Sequence, residues 1–299
     1  MTPAYLQPGD EIRIVSPSGV IDPVWIDGAT GLLTKWNLKV TEGSFARNVY
    51  GRFAGTGEQR ISDLQMALDD QNVKAILCSR GGYGLAQIID KLDFSRFLKS
   101  PKWLIGFSDI SILHAAINAL NIASVHAVMA KQLTELSENS DQIETLRCIL
   151  FGELPSYNIE IHPLNRQGAA QGKLVGGNLS VFSGLRSTPF DLHFENNILF
   201  IEDIGEKPYH IDRMMQNLRL SGALENLAGL IVGQFSDCEE DPLMMQSISE
   251  IVFDAVKSYE YPVCFNFPAG HVDYNLALAL GMEIQLYVGN SKVEMKYNI

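Results

Sequence analysis

The sequence predicts an α/β protein: a mostly parallel N-terminal βα sheet domain followed by a C-terminal α/β domain. Three observations carry that expectation. Short apolar runs alternate with helix-periodic stretches through the first third of the chain. Glycines and prolines fall where those runs end. At 299 residues the chain is long enough for one large α/β domain or two modest ones.

The elements follow in order. Glu11 to Pro17 reads as a strand that Pro17 and Gly19 terminate. After a turn-rich stretch around Gly51 and Gly55, Thr56 and Gln59 have the spacing of a capping box. The helix it opens places Ile61, Leu64 and Leu68 on one face. Val73 to Cys78 is the next strand, and a helix through Leu85, Ile88 and Ile89 is expected after the glycines at 81–84. Strand Trp103 to Gly106, turn Phe107-Ser108-Asp109 and helix Ile110 to Leu120 repeat the unit. From 131 to 167 an acidic stretch, one more helix and a Pro/Asn/Gly-rich loop make the best linker candidate. The glycine-rich segment Gly172 to Asn178 comes next. Strand Asn197 to Glu202, a helix from Pro208 closed by Gly222, and strand Gly229 to Phe235 follow. A helix from about Leu243 to Ser258 and short strands complete the pattern. The expected domains are therefore 1–130 and 168–299, joined by the linker at 131–167.

Composition narrows the partners. Apolar residues make up 46% and charged residues 19%, which excludes wholesale disorder. A net charge of −12, from 35 acidic and 23 basic side chains, opposes binding to nucleic acid or anionic lipid. No apolar run approaches the roughly 20 residues of a membrane span. The first ten residues have neither the basic nor the apolar region of a signal peptide, so a cytoplasmic location is expected. Four widely spaced cysteines (78, 148, 238 and 264) show no metal-ligand spacing and read as buried thiols. No metal site and no cofactor is expected.

Two turns sit where open α/β sheets bind ligands, beyond the carboxyl ends of strands. Arg80-Gly81-Gly82-Tyr83-Gly84 can present backbone N–H groups to an anion or close as a plain tight turn. Gly106-Phe107-Ser108-Asp109 places a serine between strand and helix, half of a nucleophile elbow. Ser108 or Asp109 could equally cap the helix that follows. A serine nucleophile needs a base and a group to orient it. His114, His126, His162, His193, His210 and His271 are the candidates, and Glu202 and Asp203 end an apolar strand. Spacing leaves several Ser/His/acid combinations open.

Taken together, seven blocks in one order resemble the LD-carboxypeptidases, the serine peptidase family of muramoyltetrapeptide carboxypeptidases and microcin C immunity peptidases. They are Pro8-Gly9-Asp10 with Ser16-Pro17-Ser18-Gly19; Asp63-Leu64 with Ala75-Ile76; Arg80 to Gly84; Gly106 to Asp109; Gly176-Gly177-Asn178-Leu179-Ser180; Glu202 to Glu206 with Tyr209 and Asp212-Arg213; and Pro268-Ala269-Gly270-His271. The resemblance runs from about Pro8 to Gly281. It implies a two-domain α/β fold with the catalytic cleft between the domains. It places the nucleophile at Ser108 in the N-terminal domain, and the acid at Glu202 and the base at His271 in the C-terminal one. On that footing the backbone N–H groups of Asp109 and Gly82 are the oxyanion donors, and Arg80 and Tyr83 the substrate-binding residues. The reaction implied is release of terminal D-alanine across an L,D-peptide bond of a murein tetrapeptide in peptidoglycan recycling. No metal or organic cofactor is needed, and a homodimer stays open. The chain reads His126-Ala127-Val128 where the family often has His-Gly-Pro, and Ser187-Thr188-Pro189 where it has Gly-Thr-Pro. Two rival functions remain. One is an immunity-type peptidase acting on peptidyl or aminoacyl nucleotide conjugates. The other is a non-catalytic nucleotide-binding module using the glycine turns at residues 81–84 and 176–177.

Overall fold

Why each strand ends where it does decides where chemistry can sit. The computed structural model describes residues 1–239 and 241–298. It divides into one unit of Met1–Leu154 with Leu276–Ala279 and another of Pro155–Asn275 with Leu280–Ile299.

In the first unit the elements run β1 (Glu11–Val15), α1 (Pro23–Lys35), β2 (Lys39–Glu42), α2 (Gly57–Asp69), β3 (Val73–Cys78) and α3 (Ser95–Lys99). Then come β4 (Trp103–Gly106), α4 (Ser111–Ala119), β5 (Ser124–His126), α5 (Ala130–Glu135) and α6 (Asp141–Phe151). The sheet order is β11-β5-β4-β3-β1-β2, with β11 (Leu278–Leu280) supplied from far along the chain. From β5 to β2 every pairing is parallel. Parallel strands covered on both faces read as unbroken apolar runs, and Ile12, Ile14, Ile76, Leu104 and Ile105 are all completely buried. The predicted capping box opens α2: Thr56 accepts from the Gln59 N–H while Gln59 reaches back. Asp22 caps α1 ahead of Pro23, a start signal that the sequence reading passed over.

The expected helix through Leu85 and Ile89 is instead two separate 3-10 turns, Leu85–Gln87 and Ile89–Lys91. Gly84 at φ +147° and Ile88 at φ −129° both leave the helical region, so no longer ladder can form. Within 131–167, α5 and α6 belong to the first unit, and the chain passes to the second at Leu154–Pro155.

The second unit contains β6 (Ser156–Ile159), β7 (Gly168–Asn178), α7 (Leu179–Ser183), β8 (Ile198–Ile204), α8 (Pro208–Leu220) and β9 (Gly229–Ser236). It continues with α9 (Ile248–Val256), β10 (Val263–Cys264), β12 (Glu283–Val288) and β13 (Val293–Tyr297). Its sheet order is β10-β9-β8-β7-β12-β13-β6. β7 joins two modes of pairing: Gly168 to Lys173 run antiparallel to β12, and Leu174 to Asn178 run parallel to β8. Any side chain at Gly176, φ +128°, would overlap the Phe200 carbonyl, which is why so glycine-rich a segment is a strand. The expected helix from Leu243 begins only at Ile248, because Ser247 and Glu250 form its capping box and Met245 at φ +55° breaks the chain before it.

All four cysteines are free thiols. Among the described residues no helix is long and apolar enough to cross a membrane, and no cluster of His, Cys, Asp and Glu could hold a metal ion.

Candidate active site

In the first unit, β4 stops at Gly106 and the chain turns sharply into α4. Ser108 sits in that turn at φ +68°, a conformation that costs a non-glycine residue about 1 kcal/mol or more and persists only when neighbours enforce it. They do. A Cβ on Gly106 would lie 2.9 Å from the Ile110 side chain, so only glycine lets the turn close over Ile110. His114, fully buried on α4, ties the strand end down: its Nε2 lies 2.8 Å from the Gly106 carbonyl and its Nδ1 2.8 Å from Ser124 Oγ. A carbonyl can only accept, so Nε2 carries the proton and Ser124 donates to Nδ1. Burial pushes the His114 pKa down to about 4, which keeps the ring neutral.

Neither Ser108 nor Asp109 caps the helix with its side chain. The Asp109 carboxylate is buried and accepts from Ser18 Oγ at 2.6 Å and from the Leu85 N–H at 3.0 Å. Burial raises its pKa, while the Ser18 and Leu85 hydrogen bonds and the nearby Arg60 cation pull the other way. The backbone N–H of Asp109 lies in the first helical turn, where amides lack an intrahelical acceptor.

The glycine turn lies against this elbow. A Cβ at Gly81 would meet Ser108 Cβ at 2.7 Å and Oγ at 3.0 Å, so the residue must be glycine for the serine to occupy its place. Gly82 follows at φ +104°. Tyr83 is 47% exposed with its ring 6.1 Å from that of Phe53. Arg80 is exposed, and its Nη1 donates to the Val20 carbonyl at 2.7 Å. Ser108, Asp109, Gly82, Arg80 and Tyr83 therefore all belong to the first unit.

Glu202 and His271 belong to the second unit, where they are hydrogen-bonded. Glu202 Oε2 lies 2.7 Å from His271 Nδ1, and the Glu202 side chain is completely buried. A register shift between β8 and β9 sets Gly233 and Gln234 against Glu202, a bulge of the kind that re-aims side chains beside functional sites. Gly270, φ +132°, admits the carboxylate: a Cβ there would lie 3.0 Å from Glu202 Oε2. Ser236 Oγ donates to the His271 carbonyl at 2.7 Å, and Asn275 accepts from the Gly270 N–H at 2.9 Å, which fixes the loop. Next to Glu202, Asp203 is buried and accepts from Asn178 Nδ2, the Ser180 N–H and hydroxyl, and the Ile204 N–H. Burial is the main cause that lifts its pKa to about 6, and the Glu202 charge adds to it.

The other histidines do different work. His162 stacks on Phe265, His126 packs on Phe107, and His210 pairs with Glu206 at 2.9 Å.

Family models match on both sides: the LD-carboxypeptidase N-terminal domain over residues 12–127 and the LD-carboxypeptidase C-terminal domain over 171–286. The chain belongs to the LD-carboxypeptidase family. A Bacillus subtilis relative named "Probable murein peptide carboxypeptidase" is 34% identical over 286 residues, covering 93% of this chain and 89% of its own. The muramoyltetrapeptide carboxypeptidase of Oxalobacter formigenes has a solved structure with a TM-score of 0.86 at 25% identity, covering 97% of this chain and 99% of its own. Microcin C7 self immunity protein MccF, solved with aspartyl sulfamoyl adenosine, shares the fold with a TM-score of 0.86 at 19% identity, covering all of this chain and 99% of its own.

The sequence reading missed one buried side chain at the elbow. Arg60 is 3% exposed, and its Nη1 donates to the carbonyls of Pro17 at 2.9 Å and Gly84 at 3.0 Å. Its only sequence signal is its place one turn into α2, four residues after Thr56. A cation there ordinarily reads as solvated.

Proposed function

We propose that this protein is a serine carboxypeptidase that cleaves the L,D-peptide bond of a murein tetrapeptide and releases the terminal D-alanine, as a step of peptidoglycan recycling. The observation that carries the reading is the 2.7 Å bond between Glu202 and His271 Nδ1. Donation from Nδ1 to a carboxylate selects the tautomer whose Nε2 has the lone pair a general base needs. The strained elbow at Ser108 and the family membership supply the nucleophile that such a base would serve.

In the proposed reaction Ser108 Oγ attacks the carbonyl carbon of the scissile bond, and its proton passes to His271 Nε2. Glu202 holds the ring and stabilises the imidazolium. The N–H groups of Asp109 and Gly82 take the developing oxyanion, each donor being worth on the order of 10²–10³ in rate. The C–N bond breaks as His271 returns the proton to the departing D-alanine amine, leaving an acyl-Ser108. Water, deprotonated by His271, then attacks the acyl carbon; the ester C–O bond breaks, Ser108 Oγ takes that proton back from His271, and the tripeptide is freed. Arg80 is assigned the terminal carboxylate and Tyr83 the neighbouring peptide surface. Backbone N–H groups and an arginine fork provide the local positive potential that a chain of net charge −12 otherwise lacks. Four free thiols suit work in a reducing cytoplasm.

The test is incubation with murein tetrapeptide, read by mass spectrometry for loss of one alanine, beside a C-terminally amidated tetrapeptide and an aminoacyl nucleotide conjugate. Loss of alanine from the free tetrapeptide alone is expected. Cleavage of the conjugate alone overturns the substrate assignment, and equal cleavage of the amidated peptide overturns exopeptidase recognition.

A further inference from the structure

One peptide group beside the elbow is gripped at both ends by buried side chains of opposite charge. The carbonyl of Gly84 accepts from Arg60 Nη1 at 3.0 Å, and the N–H of Leu85, across the same peptide bond, donates to Asp109 Oδ2 at 3.0 Å. The same two side chains hold the preceding loop: Arg60 takes the Pro17 carbonyl and Asp109 the Ser18 hydroxyl. Cation meets carbonyl oxygens and anion meets hydrogens, so the dipole of peptide 84–85 lies along the field between them. Both side chains are 3% exposed, and burying two ions is a costly way to close a surface turn. Arg60 has further support, with its guanidinium 4.8 Å from the Phe53 ring centre and Nη2 donating to Gln87. Space is reserved for it, since a Cβ on Gly84 would stand 2.6 Å from Nη1.

We propose that Arg60 is a positioning residue for the oxyanion site. This rests on the serine carboxypeptidase reading above. Asp109 follows Ser108 directly, so a turn locked to the Asp109 carboxylate is indexed to the nucleophile. Arg60 completes the lock from the other side. It fixes the plane of peptide 84–85 and, through it, the direction of the Gly82 N–H. Arg60 itself touches neither substrate nor Ser108.

Arg60→Met and Arg60→Lys are compared with wild type on murein tetrapeptide for kcat and KM. Two ligands separate the geometries: a tripeptide aldehyde, which adds Ser108 Oγ to form a tetrahedral oxyanion, and the tripeptide product, which does not. In Arg60→Met, kcat is expected to fall about 10²-fold with KM within threefold. Aldehyde affinity falls by a similar factor while product affinity holds. Arg60→Lys, which keeps a donor for the two carbonyls but not the planar fork, recovers about tenfold of the loss and leaves the rest. Equal loss of aldehyde and product affinity, or an unchanged kcat, overturns the role assigned to Arg60. Should Arg60→Met not fold, Arg60→Lys decides: a wild-type ratio of aldehyde to product affinity overturns the proposal, and a ratio lowered several-fold supports it. Full turnover by Ser108→Ala, or a wild-type enzyme indifferent to the aldehyde, removes the serine mechanism itself and Arg60's role with it.

Discussion

Adding one methyl group at Gly81 tests how tightly the glycine turn is fitted to the serine. The Cβ of Gly81→Ala would stand 2.7 Å from Ser108 Cβ and 3.0 Å from the Phe107 carbonyl oxygen. Carbon atoms in contact prefer about 3.5–4.0 Å, so roughly 1 Å must be found. The turn cannot simply retreat, because the Gly81 carbonyl accepts from the Gly19 N–H at 3.0 Å. Ser108 is no freer, with Gly106 and Asp109 anchored on either side of it. A misplacement of about 1 Å costs about 10² in rate, and overpacking of this kind costs about 1–3 kcal/mol in stability. We expect Gly81→Ala to lower kcat for D-alanine release about 100-fold, with urea unfolding reporting the stability loss. Gly31→Ala is the control: Gly31 lies inside α1 with nothing within 4 Å of its would-be Cβ. That change should stabilise by about 0.5–1 kcal/mol and leave kcat alone. A Gly81→Ala enzyme within twofold of wild-type kcat would refute the reasoning.

Three further expectations follow from the same geometry. Ser108→Ala and His271→Ala should each lower kcat by about 10⁴ or more, and the double variant little further, because the residues act as one unit; additive losses would separate them. Asp203 has its folded pKa raised to about 6 from 3.8, so its contribution to stability is present below 3.8 and lost as pH rises through 6. Denaturant unfolding at pH 4 and 7 should show wild type losing about 2 kcal/mol relative to Asp203→Asn, and a pH-independent difference would contradict the burial described. His114 has the opposite sign: with its folded pKa near 4, its contribution is present above 6.5 and lost as pH falls toward 4. NMR of labelled histidine should find this ring neutral, protonated at Nε2, down to about pH 4, and an imidazole titrating near 6.5 would count against it.

Elements with local signals were legible from the residues alone. Thr56 and Gln59 announce α2, and Val73 to Cys78 is apolar because both faces are covered. What was misread depends on backbone angles or distant neighbours. Leu85 to Ile89 has helical spacing, yet Gly84 and Ile88 leave the helical region. Gly176 looks like a turn residue, yet it lies in β7 beside Phe200 of β8, whose carbonyl leaves no room for a side chain. At the candidate site, Ser108 stood out by its place between strand and helix. His271 and Glu202 are 69 positions apart, and only the family resemblance singled them out among six histidines and several acids. Arg60 was invisible because the carbonyls that bury it come from 43 and 24 positions away.

The late return of residues 276–279 to the first unit has a consequence for synthesis. β11 lines the outer edge of that unit's sheet next to β5, so the sheet stays unfinished while the second unit is being made. At ribosomal speeds of about 5–20 residues per second, β5 waits on the order of ten seconds for its neighbour. An open edge invites pairing with another nascent chain. Here the exposed edge is only Ser124 to His126, three residues, too short to template much. The strand left waiting longest is thus among the shortest in its sheet, which limits the hazard on a crowded polysome.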